Sequence, residues 1–215
     1  MVDVISDFFE NDDSIRVLSR KNETTGECDL EFDNAFENMR KYMKFAFDEA
    51  LEALRLEEVP VGCVFVYENQ IIGSGRNRVN EMLNATLHAE IVAIRNAERW
   101  CQERNLNIYE VMKKTTLYVN LEPCQMCASA VQLLGIPRIF FGACNDRFGG
   151  IVTVGNVYDY VENPATMDLV CGLGRSKTIG LLQAFYCQTN TKAPESKRLR
   201  KSDDKKAKLL KSLQL

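Results

Sequence analysis

The sequence predicts a three-layer α/β/α domain built on a mixed sheet, and three observations lead there. Apolar residues alternate between a helical period and short buried runs across residues 34–190. Two of the runs lie close enough to form a hairpin, and the later ones are separated by segments long enough for helical crossovers. Helices interleaved with short apolar strands require a sheet covered on both faces. Five strands are expected, the first pair antiparallel and the later ones parallel through right-handed crossovers.

The elements follow in order. Phe36, Met39, Met43, Ala46, Ala50, Ala53 and Leu54 recur every three or four residues, the stripe of an amphipathic helix that Pro60 stops. Residues 61–67 read as a buried strand, Glu68-Asn69-Gln70 as a turn and residues 71–76 as the returning strand. A helix is expected over 88–100, with Ile91, Ile94 and Ala97 along one side, and a short strand over 116–120. The helix over 124–134 runs up to Gly135 and Pro137, which end it. Strands over 138–141, closed by Gly142, and 168–171 precede a last helix over 176–188.

Composition agrees. With 215 residues, 46% hydrophobic and 27% charged, the chain is neither wholly disordered nor fibrous, and it is long enough to fold around a core without staples. Its start lacks the basic, then apolar pattern of a secretory leader, and no run of about 18 apolar residues offers a membrane span. The expected compartment is therefore reducing, and the eight cysteines are not read as a disulfide framework. The net charge of −3 hides an asymmetry: −8 over residues 1–38, −1 through the middle and +6 over residues 192–215. An acidic flexible arm (1–33), a folded body (34–190) and a basic tail (191–215) are expected.

One constellation carries chemistry. His88 is the sole histidine, Glu90 lies two residues on, and Pro123-Cys124-Gln125-Met126-Cys127 comes later. H-x-E followed by P-C-x-x-C is the signature of zinc nucleobase deaminases. The residue types suit that chemistry: a catalytic zinc takes three protein ligands and leaves a fourth position for water, and His88, Cys124 and Cys127 make three. Cysteines at C-x-x-C spacing share one side of a helix start, where free amides and the dipole favour thiolates. His88 opens its own helix, so two helix starts face each other across the ion. Glu90 is not a ligand; a carboxylate beside activated water moves its proton. Residues i and i+2 diverge by about 200° on a continuing helix, so His88 and Glu90 reach one site only in a first turn. Alone, C-x-x-C also fits a redox motif or half of a structural zinc site, but neither calls for the histidine and glutamate, and no second C-x-x-C completes four ligands.

Longer stretches extend the match. Glu58-Val59-Pro60-Val61-Gly62, Gly75-Arg76-Asn77-Arg78, the segment from Asn84 to Glu90, the segment from Leu117 to Cys124, and Asn145-Asp146-Arg147-Phe148-Gly149-Gly150 resemble tRNA-specific adenosine deaminases. The likeness is greatest to the catalytic subunits of the eukaryotic heterodimeric enzymes. It implies a cytidine-deaminase-like fold, one zinc ion on His88, Cys124 and Cys127, and Glu90 as proton shuttle. It further implies that Asn77 contacts a flipped adenine, that Ala89 offers its backbone N–H to the base, and that wobble adenosine of a tRNA anticodon becomes inosine. The implied partners are the tRNA anticodon arm and a homologous subunit lacking the catalytic glutamate, with no membrane, and the implied location is nucleus and cytoplasm. Asn77 also suits a turn after a strand. Lys197, Arg198, Arg200, Lys201, Lys205, Lys206 and Lys208 form a basic tail suited to RNA phosphates or to nuclear targeting.

Cys28, Cys63, Cys101, Cys144, Cys171 and Cys187 have no partners at metal spacing; Cys63 and Cys187 sit in apolar segments as small core residues. Met126, Val131, Leu133 and Leu134 read as core or subunit contact. The rival functions are deamination of free cytidine or deoxycytidylate, and a non-catalytic, zinc-stabilised RNA-binding subunit.

Overall fold

Six strands form one sheet in the computed structural model, which describes residues 16–19, 30–161 and 167–188. In chain order the elements are β1 (Arg16–Ser19), α1 (Leu30–Arg55), β2 (Gly62–Tyr67), β3 (Gln70–Arg76), α2 (Ala89–Gln102), α3 (Ile108–Met112), β4 (Thr116–Leu121), α4 (Gln125–Leu133), β5 (Arg138–Ala143), β6 (Asp168–Cys171) and α5 (Arg175–Cys187). The sheet order is β1-β6-β5-β4-β2-β3. The five expected strands are present, β2–β3 as an antiparallel hairpin and β4, β5 and β6 parallel.

Three features depart from the sequence reading. A sixth strand, β1, pairs antiparallel with β6 inside the segment expected to be a flexible arm, and α1 already begins at Leu30. Its four residues are too short for a periodic signal, and the pairing is made with a strand about 150 residues away along the chain. The short helix α3 has only its cap to announce it: Asn107 Oδ1 accepts the N–H of Tyr109 and Glu110. β5 continues through Gly142 to Ala143, and Gly142 is required by close packing and does not close the strand: a Cβ on it would strike the carbonyl of Asn120. The basic tail lies outside the described residues.

Alternation along the strands builds the layers. Cys63, Phe65, Leu117, Val119, Ile139 and Phe141 pack under α2 and α4, while Val64, Val66, Tyr118, Phe140 and Val170 pack under α1 and α5. On the second face, Tyr118 stacks on Phe140 at 4.8 Å and meets Tyr42 of α1 at 5.3 Å. The hairpin turns on Glu68 and Asn69, both at positive φ, the twist that matches right-handed strands.

This topology gathers loops at one end. β4, β5 and β6 finish there; antiparallel β2 begins there and β3 ends there. Buried Asn120 pins that edge: its amide oxygen takes the Gly62 N–H and its amide nitrogen donates to the Pro60 carbonyl, both at 2.9 Å. α2 lies directly on β3 because small residues meet on both sides. Ala89, Ala93 and Ala97, one turn apart, sit over Gly73 and Gly75, where any Cβ would collide with the helix backbone. That seam seats the first turn of α2 against the sheet end.

Gly75→Ala is therefore expected to lower unfolding free energy by about 1–3 kcal/mol in urea titrations. Ser74→Ala, on the other face of β3, is expected to stay within about 0.5 kcal/mol.

Candidate functional site

His88 and Cys124 are the N-cap residues of α2 and α4, both in extended backbone (φ/ψ of −71°/163° and −67°/168°), and Cys127 follows in the first turn of α4. The two helix starts face each other. His88 Nδ1 lies 3.4 Å from Cys124 Sγ and 3.6 Å from Cys127 Sγ, and all three donor atoms fall within 4.8 Å of one another. A tetrahedral zinc with ordinary bond lengths separates nitrogen from sulfur by roughly 3.6 Å. The residues fit the ion, and one imidazole with two sulfurs is a donor set zinc prefers. The i, i+2 difficulty resolves at the cap: His88 precedes the helix in extended backbone and Glu90 stands inside it, so the 100° step does not separate them.

The electrostatics suit a metal. A hydrogen bond from Cys127, then one from the His88 ring, bring the Cys124 thiol down to about 4 against the opposing effect of burial. The same shared proton, with burial, pushes Cys127 up, and the bond to Cys124 raises His88. Glu90 is 3% exposed. Its burial pushes its carboxyl upward, opposed by its own backbone N–H and the Cys127 thiol.

These residues floor an open cavity of about 830 Å³. Val59, Val61, Leu121, Ala143, Ile179 and Leu182 give it apolar walls, and Arg147, Phe148, Arg175 and Tyr186 surround it further out. Of the expected site residues, His88, Glu90, Asn77 and Cys124 line this space, while Cys127 is fully buried, its Sγ 3.6 Å from His88 Nδ1. Ala89 is fully buried, and its N–H donates to Asn77 Oδ1 at 2.9 Å. The bond also orients Asn77: the side chain needs its oxygen toward Ala89, which leaves Nδ2 as the group it can offer in the cavity. Lys197, Arg198, Arg200, Lys201, Lys205, Lys206 and Lys208 lie outside the described residues.

Two buried acids escaped sequence reasoning. Glu58 accepts the Glu81 N–H at 2.7 Å and so holds the loop between β3 and α2. Glu122, beside the metal-ligating turn, binds the loop after β5. The available signal was a charge at the end of an otherwise apolar strand, Leu121-Glu122-Pro123, which burial makes costly unless hydrogen bonds meet it. The α5 wall carried no signal, since only tertiary packing brings it here.

Cys63, Cys101 and Cys171 are buried core residues, as read for Cys63, but Cys187 is half-buried. All seven cysteines among the described residues are free, and Cys28 lies outside them. On α4, Val131 is core, whereas Met126 and Leu133 are exposed. No helix among the described residues is long and apolar enough to cross a membrane.

Residues 36–143 match the family model for the cytidine and deoxycytidylate deaminase zinc-binding region. The chain is 45% identical over 163 residues to tRNA-specific adenosine deaminase 2 of Xenopus tropicalis, covering 75% of this chain and 96% of that one. It is 39% identical over 180 residues to the tRNA-specific adenosine deaminase subunit tad2 of Schizosaccharomyces pombe, covering 83% of this chain and 44% of that one. A solved structure from work on A-to-I editing by tRNA A34 deaminases at the wobble position superposes with a TM-score of 0.58 at 32% identity. It covers 66% of this chain and 99% of its own.

The thiol electrostatics predict an order of labelling. At pH 6, zinc-free protein exposed to iodoacetamide is expected to react at Cys124 before Cys144. Cys144 is the more exposed, but burial and nearby Glu122 raise its thiol, leaving only Cys124 ionised. Peptide mass spectrometry reads the order, and zinc loading is expected to protect Cys124.

Proposed function

The chain belongs to the cytidine and deoxycytidylate deaminase family, and from that premise we propose that it hydrolyses wobble adenosine in tRNA anticodons to inosine and ammonia. One observation carries the reading: three metal donors cluster within 4.8 Å of one another, and two of them, His88 and Cys124, share the lining of one open cavity with the buried carboxylate of Glu90. The named function of its relatives supports adenosine in tRNA over free cytidine or deoxycytidylate.

His88, Cys124 and Cys127 hold zinc, which supplies a Lewis acid that makes water nucleophilic near neutral pH. Glu90 moves the protons: it accepts one from the attacking water and delivers it to N1 of the purine, then takes the second from the new hydroxyl at C6 and passes it to the amine nitrogen, which departs as ammonia while C6–O becomes the carbonyl of inosine. Burial fits it for this task, since a carboxyl raised above its usual range holds a proton closer to neutrality. Asn77 Nδ2 donates to the base, held in place by the Ala89 N–H. Val59, Val61 and Leu182 supply apolar surface for the ring. An anticodon loop delivers its nucleotide at low cost because the base is not paired in a duplex.

The chain acts as the catalytic member of a heterodimer, with a homologous subunit that lacks the glutamate. Met126 and Leu133, exposed at 38% and 77%, give α4 an apolar surface for such a neighbour. The Lys/Arg tail holds RNA phosphates and suits nuclear entry, which places the chain in nucleus and cytoplasm.

Inosine formation in an A34-containing tRNA, assayed with and without the companion subunit, is the direct test; cytidine and deoxycytidylate should release no ammonia. Glu90→Gln is expected to retain zinc and lose at least ~10²-fold in rate, and near-normal turnover in that variant would defeat the assignment. Removal of residues 192–215 tests the tail. If about six phosphates are engaged, a fourfold rise in salt weakens tRNA binding by roughly two to three orders of magnitude. The truncated chain is expected to bind more weakly and with a shallower salt dependence.

A further inference from the structure

Glu122 immediately follows β4 with 1% exposure, two residues before Cys124. Its Oε1 accepts the N–H groups of Ile151, Val152 and Thr153 at 3.2, 2.7 and 3.2 Å. Its Oε2 accepts the Asn145 N–H at 2.9 Å and the Thr153 hydroxyl at 2.8 Å. All five donors come from one loop, the segment that follows β5.

The same loop is fitted to the metal-ligating turn. Gln125 N–H donates to the Phe148 carbonyl, Gly150 N–H donates to the Pro123 carbonyl, and Gly149 pairs with Cys124. A Cβ on Gly149 would strike the Thr153 hydroxyl and the Glu122 carboxylate, so the packing tolerates no side chain there. From this anchored base the loop sends Arg147 and Phe148 to the cavity wall, the guanidinium 5.4 Å from the ring centroid.

We infer that Glu122 is a positioning residue for substrate: a buried side chain whose two oxygens gather four backbone N–H groups and so hold the Arg147–Phe148 wall of the cavity in place. The inference rests on the reading that the cavity receives a nucleotide of RNA. Charge-assisted hydrogen bonds are about twice as strong as neutral ones, and backbone N–H groups converging on an anion form a rigid nest. A wall fixed before binding spares the substrate the entropy of ordering it. Glu122 does not perform the chemistry, because its oxygens are already engaged by donors that a proton would have to displace. Glu122→Gln preserves volume but replaces one acceptor with an NH2 group facing N–H donors.

The test compares wild-type and Glu122→Gln full-length, zinc-loaded chains, each assembled with the companion subunit. Three readouts are taken: hydrogen exchange of the 145–153 amides, zinc content, and binding and single-turnover deamination of an anticodon stem-loop. Faster exchange confined to 145–153 is expected, with zinc retained, affinity weakened about tenfold and the rate at saturating RNA within about threefold of wild type. Thr153→Val removes the hydroxyl, with its contacts to Glu122 Oε2 and to the Asn145 carbonyl, keeps the four backbone N–H bonds to Glu122 and covers the case in which Glu122→Gln does not fold; about threefold weaker binding is expected. Unchanged loop exchange, lost zinc, or a collapsed saturating rate at unchanged affinity overturns the positioning role. A wild-type chain that neither binds nor deaminates the stem-loop overturns the functional reading together with the substrate role. Wild-type activity with unaltered affinity in the variant removes only the role of Glu122.

Discussion

Everything at the site depends on two helix N-termini meeting over the ends of the sheet strands. α2 begins at His88 and α4 at Cys124, and each start is held by packing distant from the metal donors. α2 rests on the side-chain-free face of Gly73 and Gly75, while α4 follows β4 through Pro123 with no room for a longer connection. The extended backbone at both caps turns the donors out of their helices and toward each other. Were either helix to begin one residue later, the ligand would join the helix and rotate away from the common point.

Three carboxylates are buried near the cavity, and the number of donors around each separates their tasks. Glu58 and Glu122 receive backbone N–H groups that fix the two loops flanking the space. Glu122 has five donors on its two oxygens, so its burial is met by hydrogen bonds. Glu90 has only its own N–H and a cysteine thiol, and burial leaves it reluctant to stay ionised. A fold that saturates Glu122 and undersupplies Glu90 beside the same space has assigned the mobile proton to Glu90.

Much of this was legible in the sequence, for physical reasons that differ by element. Strands β2, β4 and β5 and helices α1, α2 and α4 announce themselves because burial imposes periods on them. His88, Glu90, Cys124 and Cys127 announce themselves because a metal limits both residue type and spacing. β1 did not: four residues carry no period, and their partner lies at the opposite end of the chain. The coupling of Asn77 to Ala89 was equally hidden, since a backbone N–H looks the same in sequence whether it faces a ligand or a neighbour. Glu122 was visible as a residue but silent as to its task, because its donors come from a loop that sequence alone does not bring back to β4.

α5 lies mainly on the opposite layer from α2 and α4, yet it sends Ile179, Leu182 and Gln183 to the cavity without supplying a metal donor. Part of the cavity wall thus resides on an element physically separable from the metal donors and Glu90. A protein engineer seeking to reshape the space could randomise that outer helix while leaving the reaction centre untouched.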